Sequence, residues 1–174
     1  MRKFFTLIVA LEVPMGMIFA QNGANLDTQS QTGNDNEVGS LQGGIHNTSD
    51  QVQAGDNNGA GIIQIGIFNL ATQDQQGNGN LAGAIQVLMD NESYQTQIGL
   101  QNNAGTFQFG MENMDTQLKE GGFNTAGAIQ LGGGNSSDQH QYGEGIHSIF
   151  NEAYVNQVGM YNSATQSQGG DFND

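Results

Sequence analysis

Glutamine recurs every eleven residues along most of this chain, and a short period kept for so many copies leaves few folds open. The rows are Gln31, Gln42, Gln53, Gln64, Gln75, Gln86, Gln97, Gln108, Gln130 and Gln141, with Lys119 in the one gap. After an offset of sixteen, eleven plus a five-residue insertion around Gly145 to Ile149, the register resumes at Gln157 and Gln168. Two residues after the rows stand Gly33, Gly44, Gly55, Gly66, Gly77, Gly99, Gly110, Gly121, Gly132, Gly143, Gly159 and Gly170, with Leu88 as the exception. Five residues after stand Asn36, Asn47, Asn58, Asn69, Asn80, Asn91, Asn102, Asn113, Asn124, Asn135, Asn162 and Asn173, with Asn151 placed by the insertion. Seven residues after stands a small side chain in most copies, Ser49, Ala60, Ala71 and Ala82 among them, with Val38 and Asp115 departing. The unit is Q-x-G-x-x-N-x-[AS]-x-x-x.

Each column has a physical reason. Offsets five, seven, nine and eleven differ by two, so Asn, the small residue, the ninth residue and the next Gln share one face of an extended strand. Gly and the two residues after it read as a tight corner, where glycine permits positive φ or a close backbone approach. Identical amides stacked at the strand spacing of roughly 4.8 Å can donate to one neighbouring layer and accept from the other. The ninth position alternates, Gln51, Gln73, Gln95, Gln117, Gln139 and Gln166 against Ser40, Ile62, Ala84, Thr106, Ala128 and Val155, so the true period is twenty-two. The expected fold is all-β: a β-solenoid of strand-turn-strand coils, two half-repeats per coil, with two parallel in-register sheets. Thirteen Gln or Lys rows at two per coil predict six to seven coils.

Charge assigns the faces. The Asn, small, ninth and Gln set holds two charges, Asp115 and Lys119, whereas the opposite set carries Asp50, Asp74, Glu120 and Asp138. The nearly neutral set belongs inside, and the coil with Asp115 and Lys119 should be the weakest. Outward positions of the strands that lack the ninth Gln form an apolar face of Leu41, Ile63, Ile65, Ile85, Val87, Phe107, Phe109, Ile129, Leu131 and Val158. Such a stripe exceeds what soluble monomers expose, which points to lateral pairing or surface adhesion. A helical reading fails, because Gly and Asn at every period leave no apolar stripe.

Composition supports a structural rather than a catalytic chain. Of 174 residues only 11% are charged, 27 are Gly, and Cys is absent, which removes disulfides, Cys-ligated metals and thiol catalysis. Arg2 and Lys3 precede an apolar run ending at Ala20, which reads as a secretory signal peptide over residues 1–20, followed by a short segment 21–30 and the solenoid over 31–174. Cleavage there leaves 16 acidic residues and Lys119, a formal charge of −15, no proline and no membrane span. That charge argues against nucleic acid. His140, Glu144 and His147 are better explained as scattered polar residues than as a metal site, no cofactor is implied, and no triad or carboxylate pair points to an enzyme.

The pattern resembles the curlin repeat family of curli subunits, whose repeats carry Gln, Gly, Asn, Ala and Gln at these offsets. The resemblance covers residues 25–173, and its best copies are Gln64-Gly66-Asn69-Ala71-Gln75, Gln75-Gly77-Asn80-Ala82-Gln86, Gln97-Gly99-Asn102-Ala104-Gln108 and Gln157-Gly159-Asn162-Ala164-Gln168. It implies a secreted subunit that assembles head-to-tail into extracellular amyloid fibres on a bacterial surface, for biofilm matrix and adhesion. It also implies a nucleator subunit, an outer-membrane secretion pore and periplasmic chaperones as partners. The minor nucleating subunit shares the repeats and is one alternative. A monomeric secreted solenoid serving as a binding or adhesion module is another. The glycine-rich segment that precedes the repeats in this family is nearly missing here, since Gln21 to Ser30 alone separate the apolar run from Gln31.

Overall fold

The computed structural model describes residues 6–7, 17–21, 25–143 and 151–170, with side chains in the last two ranges. The insertion at 145–149, Glu144, His147, Asn173 and most of the stretch expected to be a signal peptide lie outside the described residues.

Among the described residues every element is a strand. They are β1 (Thr6–Leu7), β2 (Met17–Gln21), β3 (Leu26–Thr32), β4 (Glu37–Ile45), β5 (Thr48–Ala54), β6 (Gly59–Ile67), β7 (Leu70–Asn78), β8 (Leu81–Met89), β9 (Glu92–Leu100), β10 (Asn103–Met111), β11 (Met114–Gly122), β12 (Thr125–Gly133), β13 (Ser136–Tyr142), β14 (Glu152–Met160) and β15 (Ser163–Gly169). Odd strands build an 8-stranded sheet and even strands a 7-stranded sheet, each in chain order. All pairing is parallel. Ala104 meets Ala126 and Gln108 meets Gln130, a shift of one double repeat. Gln130 meets Gln157 across the insertion, so the extra residues leave the register intact. The chain is thus a β-solenoid of two sheets, and β3 to β15, taken two per coil, make six coils and a half.

Strict alternation along each strand puts the repeat's own set inside. In β7 the buried residues are Ala71, Gln73 and Gln75, and in β8 they are Ala82, Ala84 and Gln86. Apolar packing contributes little, since the cluster of buried apolar contact is Ile62, Ala71 and Ala84. Amides fill the rest, and their hydrogen bonds take over from the hydrophobic effect as the source of specificity.

Two boundaries differ from the sequence reading. β3 starts at Leu26, five residues before Gln31, because Asn25, Asp27 and Gln29 already follow the inward spacing of the repeat. Several row glycines also do not open the corner: β6 runs through Gly66 to Ile67 and β7 through Gly77 to Asn78, although β3 and β5 end one residue before Gly33 and Gly55. At Gly66 a φ of +135° lets the chain lie so close to the next coil that a Cβ would stand 1.8 Å from the Leu88 carbonyl oxygen. The chain turns after the glycine, at a second left-handed residue just before each Asn, as at Phe68 with φ 59°.

Candidate functional site

The strongest candidate site is a repeated surface: the rungs that each coil presents to the next. In the even sheet the Gln column is unbroken. Each Nε2 donates to the Oε1 one coil on, from Gln42 to Gln64 (2.8 Å), Gln86 (2.9 Å), Gln108 (2.9 Å), Gln130 (2.8 Å) and Gln157 (2.9 Å). The second amide hydrogen crosses the core, as when Gln64 donates to the Thr48 carbonyl at 2.8 Å and Gln86 to that of Leu70 at 2.8 Å. Every Gln therefore links two coils and two sheets. An Ala at such a position would strand a buried donor in the preceding coil and a buried acceptor in the following one, which costs about 1–3 kcal/mol per group.

Asparagine does a different task at the corners. Asn58 Oδ1 accepts both the backbone N–H (3.0 Å) and the Nδ2 (3.1 Å) of Asn80, whose Nδ2 also donates to the Gly99 carbonyl at 3.1 Å. The same set recurs at Asn69, with Nδ2 on the Leu88 carbonyl at 3.1 Å, and at Asn135, with Nδ2 on the Gly159 carbonyl at 3.1 Å. Asn suits the position because its short side chain carries both a donor and an acceptor for a corner whose carbonyl is bent away from the strand ladder. Those carbonyls belong to the row glycines, and positive φ is shared by Gly33, Gly44, Gly55, Gly66, Gly77, Gly99, Gly110, Gly121, Gly132 and Gly159. At Gly143 the contact retained is its N–H on the Glu120 carbonyl, at 3.3 Å. Leu88 holds the glycine conformation with φ 88°.

A third ladder belongs to ninth-position residues of the odd strands, which a reading by rows of eleven leaves aside. Gln29 donates to Gln51 (3.3 Å), Gln51 to Gln73 (2.9 Å) and Gln73 to Gln95 (2.9 Å). These amides also reach across to the carbonyls of a second glycine column, Gln73 to Gly61 at 3.2 Å and Gln95 to Gly83 at 3.0 Å. The twenty-two-residue alternation was the sequence signal for them. The ninth positions of the even sheet hold instead the shorter Ser40, Ile62, Ala84, Thr106, Ala128 and Val155, all buried, so the long amides enter the core from one sheet alone.

Both odd-sheet ladders stop at β11. Gln31, Gln53, Gln75 and Gln97 form one run at 2.9, 2.7 and 2.8 Å, and Gln141 resumes it to Gln168 at 2.9 Å, but Lys119 lies between and is fully buried. Gln117, in the neighbouring column, donates to Asp115 Oδ2 at 2.9 Å instead of to Gln139. The oxygens Gln139 Oε1 and Gln141 Oε1 are consequently buried without a partner. Burial pushes the Asp115 carboxyl up to about 6, against the opposing pull of the Thr106 and Ser137 hydroxyls, the Lys119 ammonium and the Gln117 amide. Burial likewise pushes Lys119 down to about 7, with Asp115 acting the other way.

Outside, the apolar residues line the even sheet as the spacing predicts. Leu41, Ile65, Ile85, Phe107, Phe109, Ile129 and Val158 are exposed, and Ile63, Val87 and Leu131 are half-buried. Beside them runs an open groove of about 890 Å³ floored by Gly39, Gly61, Gly83, Gly105 and Gly127. At the other end of the stack, the inward residues of β15, Ala164, Gln166 and Gln168, are only half-buried, whereas their counterparts Ser137, Gln139 and Gln141 are buried. Among the described residues no group of three or more His, Asp or Glu side chains gathers as metal ligands would. Comparison of the chain with family models, curated proteins and solved structures finds no match in any of the three.

Proposed function

We propose that this chain is a secreted structural subunit that polymerises end to end into extracellular amyloid-type fibres, serving as biofilm matrix and surface adhesive. The observation that carries the proposal is the β15 edge. Its inward Gln166 and Gln168 receive ladder bonds of 2.9 Å from β13, and no described strand lies beyond them. An edge of this kind carries backbone donors and acceptors plus amides at the spacing of a further coil, and identical chains meet that need without closing into a ring. The resemblance to curlin repeats supports the same role and brings with it a nucleator, a secretion pore and chaperones as partners, with no catalytic function. The charge of −14 holds monomers apart until the rungs engage.

The test is electron microscopy and fibre diffraction of the purified chain left in dilute buffer. Filaments with reflections near 4.8 and 10 Å, appearing sooner on seeding, are the expected result. A preparation that stays monodisperse for weeks and ignores seeds removes the proposal.

A further inference from the structure

The glycines that floor the outer groove are not required by the backbone. Gly39, Gly61, Gly83 and Gly105 keep ordinary negative φ, and a Cβ built on any of them would meet nothing within 4 Å. Glycine inside a strand weakens it, and a strand glycine often marks a place where another backbone or ligand comes close. Five coils in succession carry this cost on one face, while the other sheet places Asp50, Thr72, Tyr94, Thr116 and Asp138 at the matching position. The fold itself therefore leaves the glycine column unexplained.

The neighbouring column supplies the fitting part. Ile63, Ile85, Phe107 and Ile129 stand two residues further along the same strands, about 6.6 Å from the glycines, and rise as a ridge beside the groove. We infer that a second copy of this chain docks face to face on the even sheet, each ridge filling the other's glycine groove. Geometry fixes the operator. A two-fold axis parallel to the stacking direction, midway between the two columns, places Ile85 of one copy over Gly83 of the other at the same height, and Phe107 over Gly105. An axis across the stacking direction would set glycine on glycine and ridge on ridge. The paired copies therefore point the same way along the fibre, in an isologous dry contact of the zipper type.

Charge and area agree with this occupant. The strands β6, β8, β10 and β12 contain no charged residue and the flanking β4 and β14 of the same sheet carry one acid each, Glu37 and Glu152, whereas each of β5, β7, β9, β11 and β13 contains at least one acid. Pairing through the even sheet thus turns the acidic faces of both copies outward. Five strands of about nine residues cover about 700 Å² per copy, close to the ~800 Å² per partner of a standard stable interface, and the area adds along a filament. One large side chain already lies on the groove floor: the Tyr154 ring passes over Gly127, 2.9 Å from where a Cβ would stand. Tyr154 closes the groove at β14 and gives the pairing a stop in register.

The inference extends the filament reading, since pairing along a fibre requires the fibre, but the contact itself needs only two copies. The test compares the full chain with Gly83→Val plus Gly105→Val, which fills the groove with strand-favouring residues, and with Ile85→Asp plus Phe107→Asp, which charges the ridge. Thr72→Val plus Thr116→Val on the other sheet is the control. Mass per length by scanning transmission electron microscopy should fall about twofold in the two groove and ridge variants and stay unchanged in the control. Sedimentation of unpolymerised protein should show dimers that the same variants abolish. Single-width filaments in the parent chain overturn the pairing while leaving polymerisation intact. So does a parent chain whose groove takes up apolar vesicles or dye as a single filament, or a groove-filled variant that keeps the paired mass. Dimers without filaments would instead remove the polymerisation reading and keep this contact.

Discussion

Lys119 Nζ donates to Gln117 Oε1 at 3.2 Å, two residues along its own strand, and so gives the Gln column it interrupts neither an acceptor for Gln97 nor a donor for Gln141. Gln97 keeps its cross-core bond to the Leu81 carbonyl at 2.9 Å, and Gln95 turns its amide to Thr106 Oγ1 at 3.0 Å. One strand therefore uncouples two ladders on the odd sheet, while backbone pairing through β11 continues on both sides.

Replacing both intruders with repeat residues should mend the stack. Lys119→Gln restores an acceptor for Gln97 and a donor for Gln141, and Asp115→Ser frees Gln117 to donate to Gln139. Each recovered bond contributes about 0.5–1.5 kcal/mol, and two buried ionisable groups disappear. The double variant should be stabilised by about 2 kcal/mol or more in chemical denaturation. Lys119→Gln alone should gain less, because Asp115 then loses its nearest cation. A double variant no more stable than the parent would mean that the broken ladders carry no energetic penalty.

The same pair predicts an unusual pH profile. Folded Asp115 holds its proton up to about 6 against 3.8 for an ordinary Asp, so the folded state binds the extra proton and stability rises as pH falls from about 6 towards 4. Folded Lys119 releases its proton near 7 rather than 10.5, so the unfolded chain binds the extra proton and stability rises as pH climbs from about 7 towards 10.5. Between about 6 and 7 both groups are charged in the fold and both burial penalties are present. The stability difference between Asp115→Ser/Lys119→Gln and the parent should therefore peak in that window and shrink on either side. Denaturation midpoints from pH 4 to 10 measure it, and a difference independent of pH contradicts the assignment.

Leu88 offers a separate gain. It occupies a glycine position with φ 88°, where a side chain costs about 1–2 kcal/mol, and its side chain is 46% exposed, so little packing is lost on removing it. Leu88→Gly frees the strain but adds about 0.4–1 kcal/mol of unfolded-chain entropy to be overcome. A net stabilisation of about 0.5–1 kcal/mol is expected by denaturant titration, and any loss of stability would show that the Leu88 side chain packs usefully over the corner.

Much of this architecture is legible in the sequence because a period-two strand and a constant repeat length leave one consistent assignment of faces. Gln64, Asn69 and Ala71 sit inside because their columns hold almost no charge, and the alternation of Gln73 with Ala84 reports which strands face each other. Direction is what the spacing does not carry. That Gln117 bonds within its own strand to Asp115 depends on where Thr106 and Lys119 place their polar atoms, so the two inward charges marked a weak coil in the sequence without showing that both Gln columns of its sheet break there. The start of the solenoid was equally hard to see, since Asn25, Asp27 and Gln29 lack the preceding row Gln that marks a unit. Two chemically identical glycine columns also hide different reasons: the row glycines are compelled by carbonyl stacking, whereas Gly39, Gly61, Gly83 and Gly105 of the outward column are compelled by nothing within their own chain.

That last distinction can be measured at two positions in adjoining strands. A Cβ on Gly99, at φ +126°, would lie 1.8 Å from the Gly121 carbonyl oxygen, which is also the acceptor for Asn102 Nδ2 at 3.0 Å. Gly99→Ala must either push two coils apart or break that bond, and a loss of at least about 3 kcal/mol is expected for a change with backbone strain and a broken buried contact together. Gly105 has ordinary backbone and open space, so Gly105→Ala should leave the isolated subunit unchanged or more stable by about 0.5–1 kcal/mol. Thermal unfolding of the unassembled protein separates the two. Equal losses at both positions would mean that outward glycines serve the coil itself, and the groove would then need no partner to account for it.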